Sequence, residues 1–434
     1  MPQRLADGHE QSEILIYGMN YAPEMIGVGR FTGEIGAYLA ECGHNVSVIT
    51  APPHYPGWRV PAPYQALRYL SQKLGTVRVL RCPLLLRTEM RGVWRLIPPV
   101  TFALTSLPVA FWQIFIKRPK LVLCVEPTLF VAPVALLARL VGAHVVLHVQ
   151  DLEIDAAFAV GHLKAGGFEW AVFKLESWLL QRFSKIITIS LQMQKKLIAK
   201  GVAADRIDIV RNWVDLTKIK PLQGPNRFRT ELGLGDHDFV VLYAGNVGAK
   251  QSLDVVLDAA RLLASKSESH LANVHFVIAG DGPEKARLIR DYGELTNVHF
   301  LPLQPEERLC ELLNLADLHV LPQSKGAADL VLPSKLGGML ASGKPVLVTA
   351  DSGTELHDVL LGTAILVPAG DIAGVAREIA ELVSNGGHPA LGDGRKLAQI
   401  FARETCLEQF RAYLTRPVIE SRSLTSIERA GVAD

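Results

Sequence analysis

Two lysines set among small residues stand out in the second half of the chain. Lys250 closes the loop Gly245-Asn246-Val-Gly248-Ala-Lys250. That loop follows the apolar run Phe239–Tyr243 and precedes Leu253, Val256 and Leu257, which recur at helical spacing. Lys335 follows Ser334 in Leu332-Pro-Ser-Lys-Leu336, ahead of a short helix. Glycines let a backbone approach a ligand closely, and a cation at a helix start attracts phosphate. Either lysine alone reads equally as a solvated side chain. Their recurrence at corresponding places in one domain favours phosphate binding. A third loop, Ala279-Gly280-Asp-Gly282-Pro283, can turn tightly beneath a nucleotide base or serve as a plain β-to-α turn.

One lookalike is set aside. Gly338-Met-Leu-Ala-Ser-Gly343-Lys344 has P-loop spacing, but Pro345 stands where a magnesium-binding Ser or Thr is needed, and the order is helix then strand. Gly343 reads instead as a helix C-cap. In the first half, Gly27 and Gly29 lie in a loop before a helix, where they permit close ligand approach, but the third glycine of a dinucleotide fingerprint is missing. His148, Asp151 and Glu153 lie at and beyond the end of another strand and suit proton transfer or sugar hydroxyls, although a strand-end His is often structural. Pro52-Pro-His54-Tyr55-Pro-Gly57 ends a further strand and is expected to shape an acceptor pocket. Asp236-His-Asp238 resembles a manganese motif but precedes a strand, so it reads as a solvated turn and no metal is expected.

These loops need a scaffold of strands. Runs such as Ile14–Tyr17, Val46–Thr50, Leu121–Val125 and Val145–Val149, then Phe239–Tyr243, Val274–Ala279 and Val346–Thr349, alternate with helix-length segments. Near-continuous apolar strands between helices indicate α/β parallel sheets covered on both faces. Lysines, prolines and glycines cluster between Asp215 and Asp238, dividing the chain into two doubly wound, Rossmann-like domains. The expected bounds are 12–217 and 218–394, with a mobile tail at 419–434. Ligands in such sheets bind beyond the strands' carboxyl ends, so two facing domains would form a deep cleft.

The 434 residues suffice for two full cores. With 45 basic and 43 acidic side chains, net charge gives no pull toward nucleic acid. Five scattered cysteines without a Cys-x-x-Cys suit a reducing cytosol, and the polar N-terminus lacks signal-peptide design, so a cytoplasmic location is expected. The segment 96–116 carries no charge and is flanked by Arg91, Arg95, Lys117 and Arg118. It admits three readings: a core helix, a helix on a membrane surface, or a span interrupted by Pro98, Pro99 and Pro108. Its aromatic residues and basic flanks favour the surface.

Four segments, Asn20-Tyr-Ala-Pro-Glu24, His148-Val-Gln-Asp151, Tyr243-Ala-Gly-Asn-Val-Gly248 and Leu332-Pro-Ser-Lys-Leu336 with Leu340-Ala-Ser-Gly-Lys-Pro345, resemble those of GT-B glycosyltransferases of retaining family 4. The likeness is nearest to the branch building colanic-acid-type exopolysaccharides and runs from about Ile14 to Tyr413. It implies an N-terminal acceptor domain and a C-terminal domain for a nucleotide-sugar donor. Lys250 matches the family's phosphate-contacting basic residue, and Ser334 and Lys335 its pyrophosphate loop. Asn246 stands where many members have arginine. The family's Glu-x7-Glu pair is absent: Gly338 occupies the second position, and Asp329 and Glu355 are the nearby acids. The last helix, 395–414, would cross back onto the first domain through Leu397, Ile400, Phe401 and Phe410.

The resemblance implies transfer of a sugar to a lipid-linked saccharide at the inner face of the cytoplasmic membrane, without a cofactor. Lys250 and Lys335 would stabilise the leaving diphosphate, while His148 and Asp151 position sugar and acceptor. Two alternatives share this architecture: a non-hydrolysing sugar-nucleotide epimerase and a non-catalytic scaffold of a polysaccharide assembly complex.

Overall fold

In a computed structural model, the structure describes residues 11–25, 27–55, 57–87, 94, 96–126, 129–152, 167–266, 268–325, 332–385 and 391–415. Glu153, Asp329 and the tail from 419 lie outside these residues. The apolar runs become strands of two sheets. The first orders β1 (Glu13–Tyr17), β2 (Asn45–Thr50), β3 (Leu70–Leu74), β4 (Val77–Arg81), β5 (Leu121–Glu126), β6 (His144–Val149), β7 (Lys185–Thr188) and β8 (Ile207–Ile209) as β3-β4-β2-β1-β5-β6-β7-β8. The second holds β9 (Phe239–Ala244), β10 (Val274–Ala279), β11 (Val298–Leu301), β12 (Leu318–Leu321), β13 (Val346–Thr349) and β14 (Ile365–Val367), ordered β11-β10-β9-β12-β13-β14. Pairing is parallel throughout except for the β3–β4 hairpin.

Strand order reverses at β1/β5 in the first sheet and at β9/β12 in the second. Loops diverge to opposite faces at such a switch point, leaving a crevice at the strand ends. The loops starting at Gly18 and Gly245 leave from these two places.

Helices cover both faces of the first sheet. Phe102, Ala110, Ile114, Ala135, Leu180 and Met193 fill one side. Ile35 and Leu39 of helix Gly27–Glu41, with Leu407 and Phe410, fill the other. Helix Ile97–Phe111 runs on into a π turn, Trp112–Lys117. It buries Phe102, Ser106, Ala110 and Ile114 at four-residue steps and leaves Leu104, Trp112 and Ile116 exposed. The 21 residues Ile97–Lys117 are long and apolar enough to cross a membrane by length and composition.

The chain's end differs from the single helix expected over 395–414. Helix Gly394–Ala398 and a 3-10 turn, Gln399–Phe401, precede Ala402, which is extended (φ −63°, ψ 128°). Helix Arg403–Thr415 then begins. Leu397 and Phe401 pack in the second domain's core, Ile400 is exposed, and Phe410 alone of that stripe reaches the first domain. The break lets the chain change domains between Phe401 and Arg403. There it meets the first crossing: Val214 donates to the Phe401 carbonyl (2.8 Å), and the Val214 carbonyl accepts from Arg403 (3.0 Å).

Candidate active site

Tyr243 and Ala244 end β9 buried, and Gly245 follows with φ +150°. The loop after β10 lies against it, backbone to backbone. Gly245 N–H donates to the Ala279 carbonyl (2.9 Å), Val247 N–H to the Asp281 carbonyl (2.9 Å) and Glu284 N–H to the Val247 carbonyl (3.1 Å). A Cβ on Gly280 would overlap the Gly245 carbonyl, and one on Gly282 the Val247 carbonyl. These two glycines therefore serve the contact between loops. The β12 exit joins them, Ser324 N–H donating to the Lys250 carbonyl (3.1 Å).

Lys335 enters this cluster from the start of helix Leu336–Ala341. Its ammonium lies 4.0 Å from the centroid of the Tyr243 ring and donates to the Tyr243 hydroxyl (2.5 Å), which donates to the Asn246 carbonyl (2.5 Å). A Cβ on Gly245 would stand 3.0 Å from Nζ, so the missing side chain makes room for the lysine. Burial pushes the Lys335 pKa down to about 7, because the charged form loses water and gains no carboxylate. The result is a half-buried cation beside a glycine loop at the switch point, suited to an incoming anion.

Lys250 is exposed on a 3-10 turn, Ala249–Gln251, and Ser252 (φ +43°) separates it from helix Leu253–Ala264. It thus flanks that helix rather than opening it. Gly248 N–H donates to the Gln251 side chain (3.1 Å), and Ser334 is exposed beside Lys335. Gly338 packs toward Leu313. Glu355 is buried: its carboxylate pairs with Arg211 (2.8 Å) and accepts the Gln192 N–H (3.2 Å), both from the first domain. In this structure it ties the domains together.

In the first domain, Gly27, Gly29, His54 and Tyr55 gather around Glu24. One carboxylate oxygen accepts the N–H groups of His54 (3.1 Å) and Tyr55 (3.2 Å), and the other accepts from Asn20 (3.0 Å). Glu24 occupies the space a Cβ on Gly29 would need, and the Tyr55 ring lies 3.4 Å from one on Gly27. The space beside Gly29 is thus filled by the protein itself, whereas Tyr55 is only in ordinary contact distance of Gly27. His54 is buried with Nδ1 near the Pro52 carbonyl (2.9 Å), while Nε2 has no hydrogen-bond partner among the described residues. Asp151 is half-buried at the β6 exit. His148, two residues inside that strand, is buried with its ring 4.9 Å from that of Phe410, and burial pulls its pKa down to about 3. It is therefore a neutral packing residue in this structure.

Sequence reasoning gave no role to Tyr243, Glu24 or Arg211. A tyrosine within a buried strand and a carboxylate in an apolar loop each need a hydrogen-bond partner, which is the signal they carried. Among the described residues, no group of three or more His, Cys, Asp or Glu side chains could hold a metal ion. Asp238 of the Asp236–Asp238 turn accepts from Gly235 N–H (2.7 Å).

Two doubly wound domains, with a cationic glycine-loop site at the second domain's switch point, define the GT-B class of glycosyltransferases. The Glycosyl transferase 4-like domain family matches residues 27–213, and Glycosyl transferases group 1 matches residues 238–385. The putative colanic acid biosynthesis glycosyl transferase WcaI of Escherichia coli (strain K12) is 39% identical over 355 residues, 79% of this chain and 84% of that protein. The chain belongs to family 4 of the GT-B glycosyltransferases. In fold it is similar to sucrose-phosphate synthase from Thermosynechococcus elongatus (TM-score 0.70, 15% identity, covering 93% of this chain and 98% of that one). It is also similar to Anabaena HepE in complex with UDP-glucose (TM-score 0.65, 17% identity, covering 93% and 99%).

Proposed function

We propose that this enzyme transfers a hexosyl group from a nucleoside-diphosphate sugar to a lipid-linked saccharide, with retention, during assembly of a surface polysaccharide of the colanic-acid type. The observation that carries this reading is the Lys335 ammonium held beside Gly245 at the β9/β12 switch point. A diphosphate there would accept from Lys335, and the exposed Lys250 would reach its outer oxygens. The bond from the sugar's C1 to the diphosphate oxygen breaks, and the acceptor hydroxyl bonds to C1 from the same face. The acceptor's proton passes to the departing phosphate oxygen. Charge develops on that leaving group, so cations already in place once the donor is bound lower the barrier. Ser334, Asn246, Gly248, Gly280 and Gly282 shape the donor loops. Glu24, through His54 and Tyr55, shapes the acceptor side with Gly27, Gly29 and Asp151.

The WcaI likeness supports the surface-polysaccharide setting, and the UDP-glucose bound to HepE supports the donor class. Leu104, Trp112 and Ile116 on the outer side of Ile97–Lys117 support docking on the inner face of the cytoplasmic membrane, where a lipid-linked acceptor would be presented. The test is turnover with UDP-, GDP- and ADP-sugars and a lipid-linked acceptor, with anomeric analysis of the product. Lys335→Ala and Lys250→Ala are each expected to lower turnover by about 10²–10³ without unfolding the protein. Wild-type turnover in both variants would overturn the assignment.

A further inference from the structure

Helix Gly167–Leu180 carries a second apolar face, separate from Ile97–Lys117 in sequence. Trp170 is 67% exposed, and Leu175 and Trp178 are exposed as well. Spacings of three to five residues place them on one side of the helix, while Leu179, Leu180 and Glu176 turn inward, Glu176 to Lys200. Each exposed tryptophan is paired with a cation. Lys174 Nζ lies 4.5 Å from the Trp170 ring centroid, and the Arg182 guanidinium 3.4 Å from that of Trp178.

This face continues onto its neighbours. Arg139 donates to the Arg182 carbonyl (2.9 Å), which brings the 3-10 turn Leu137–Val141 alongside with Leu140 76% exposed. That turn packs against the π turn Trp112–Lys117 and its exposed Trp112. Three elements from distant parts of the sequence thus present tryptophan and leucine side chains interleaved with Lys117, Arg139, Lys174 and Arg182.

We propose that this composite face, with the tryptophans of helix Gly167–Leu180 at its far end, seats the enzyme on an anionic lipid surface. The proposal rests on the membrane docking put forward above and extends it to residues outside Ile97–Lys117. Trp rings settle at the headgroup level of a bilayer, and interleaved cations attract anionic headgroups. The cations over the rings hold charge and apolar surface next to each other, as a headgroup interface requires. With contacts on three elements, the first domain would be fixed in orientation, whereas a single helix would leave it free to rotate about its axis.

The test is flotation of the full chain with vesicles of phosphatidylcholine alone and of phosphatidylcholine with phosphatidylglycerol. The wild type is compared with Lys174→Glu/Arg182→Glu and Trp170→Ser/Trp178→Ser. The wild type is expected to partition onto anionic vesicles at least tenfold more strongly than onto neutral ones. Each basic residue near an anionic surface contributes roughly fivefold, so Lys174→Glu/Arg182→Glu should lose tenfold or more, and removing both interfacial rings in Trp170→Ser/Trp178→Ser should also weaken partitioning. Far-UV circular dichroism checks folding, and calorimetry with nucleotide-sugars reads the donor site separately, so failure of the donor reading shows there and leaves flotation untouched. Wild-type partitioning by both variants would overturn the proposal, as would equal binding to both vesicle types. A dimer that dissociates on Trp170→Ser/Trp178→Ser, with no vesicle binding by the wild type, would also overturn it and make the face a subunit interface.

Discussion

Binding of a nucleoside-diphosphate sugar should draw a proton onto Lys335. In the free protein burial lowers this lysine to about 7. Its amine is then neutral in roughly a tenth of molecules at pH 6, half at pH 7 and nine-tenths at pH 8. The donor's diphosphate is fully ionised across this range, and an anion beside the amine restores the charged form. Binding should therefore take up about 0.1, 0.5 and 0.9 proton at those three pH values, and affinity should fall up to about tenfold per unit above pH 7. Isothermal titration calorimetry in two buffers of different ionisation heat measures the uptake at each pH. Lys335→Arg keeps its charge throughout and should bring the uptake near zero. Buffer-independent heats from pH 6 to pH 8, or wild-type uptake persisting in Lys335→Arg, would refute the reasoning.

Gly280→Ala forces a Cβ into the Gly245 carbonyl at φ +143°, so the loops after β9 and β10 must separate; a loss of about 3 kcal/mol or more is expected, read as a lowered urea midpoint. Arg211→Ala strands the buried Glu355 carboxylate and should cost about 3 kcal/mol, whereas adding Glu355→Gln should recover much of it in a double-mutant cycle. His148 is held near 3 in the folded chain and returns to its ordinary value on unfolding, so the unfolded state takes up the proton first as pH falls below about 6.5. Stability should drop over that window, by about 2 kcal/mol at pH 5 from this residue, and His148→Leu should remove that share while the share of His319, also held near 3, remains.

The strand runs were readable because each sheet is buried on both faces, which leaves little alternation to interpret. The β3 strand, Leu70-Ser-Gln-Lys-Leu74, escaped notice because it lies at an edge and is largely exposed. Lys250, Lys335 and the glycines stood out through local order alone: strand, small-residue loop, helix. What they touch did not. Tyr243 lies 92 residues from Lys335, and Arg211 lies 144 from Glu355, distances over which no local spacing constrains a contact. His148 looked chemical because it sits near a strand's exit. Only the docked helix Arg403–Thr415 shows that its ring faces Phe410. The break at Ala402 involves neither proline nor glycine, so local propensity gave no warning of it.

The crossing at Val214 and Ala402 has a consequence for engineering. Everything between these residues is one continuous stretch whose two ends are already hydrogen-bonded to each other. The second domain is thus a cassette inserted into the first, with neighbouring splice points. A relative's cassette grafted at this seam would add little loop-closure entropy. Donor preference could then be exchanged while the first domain stays intact, with the Arg211–Glu355 pair the first contact to be rematched across the new boundary.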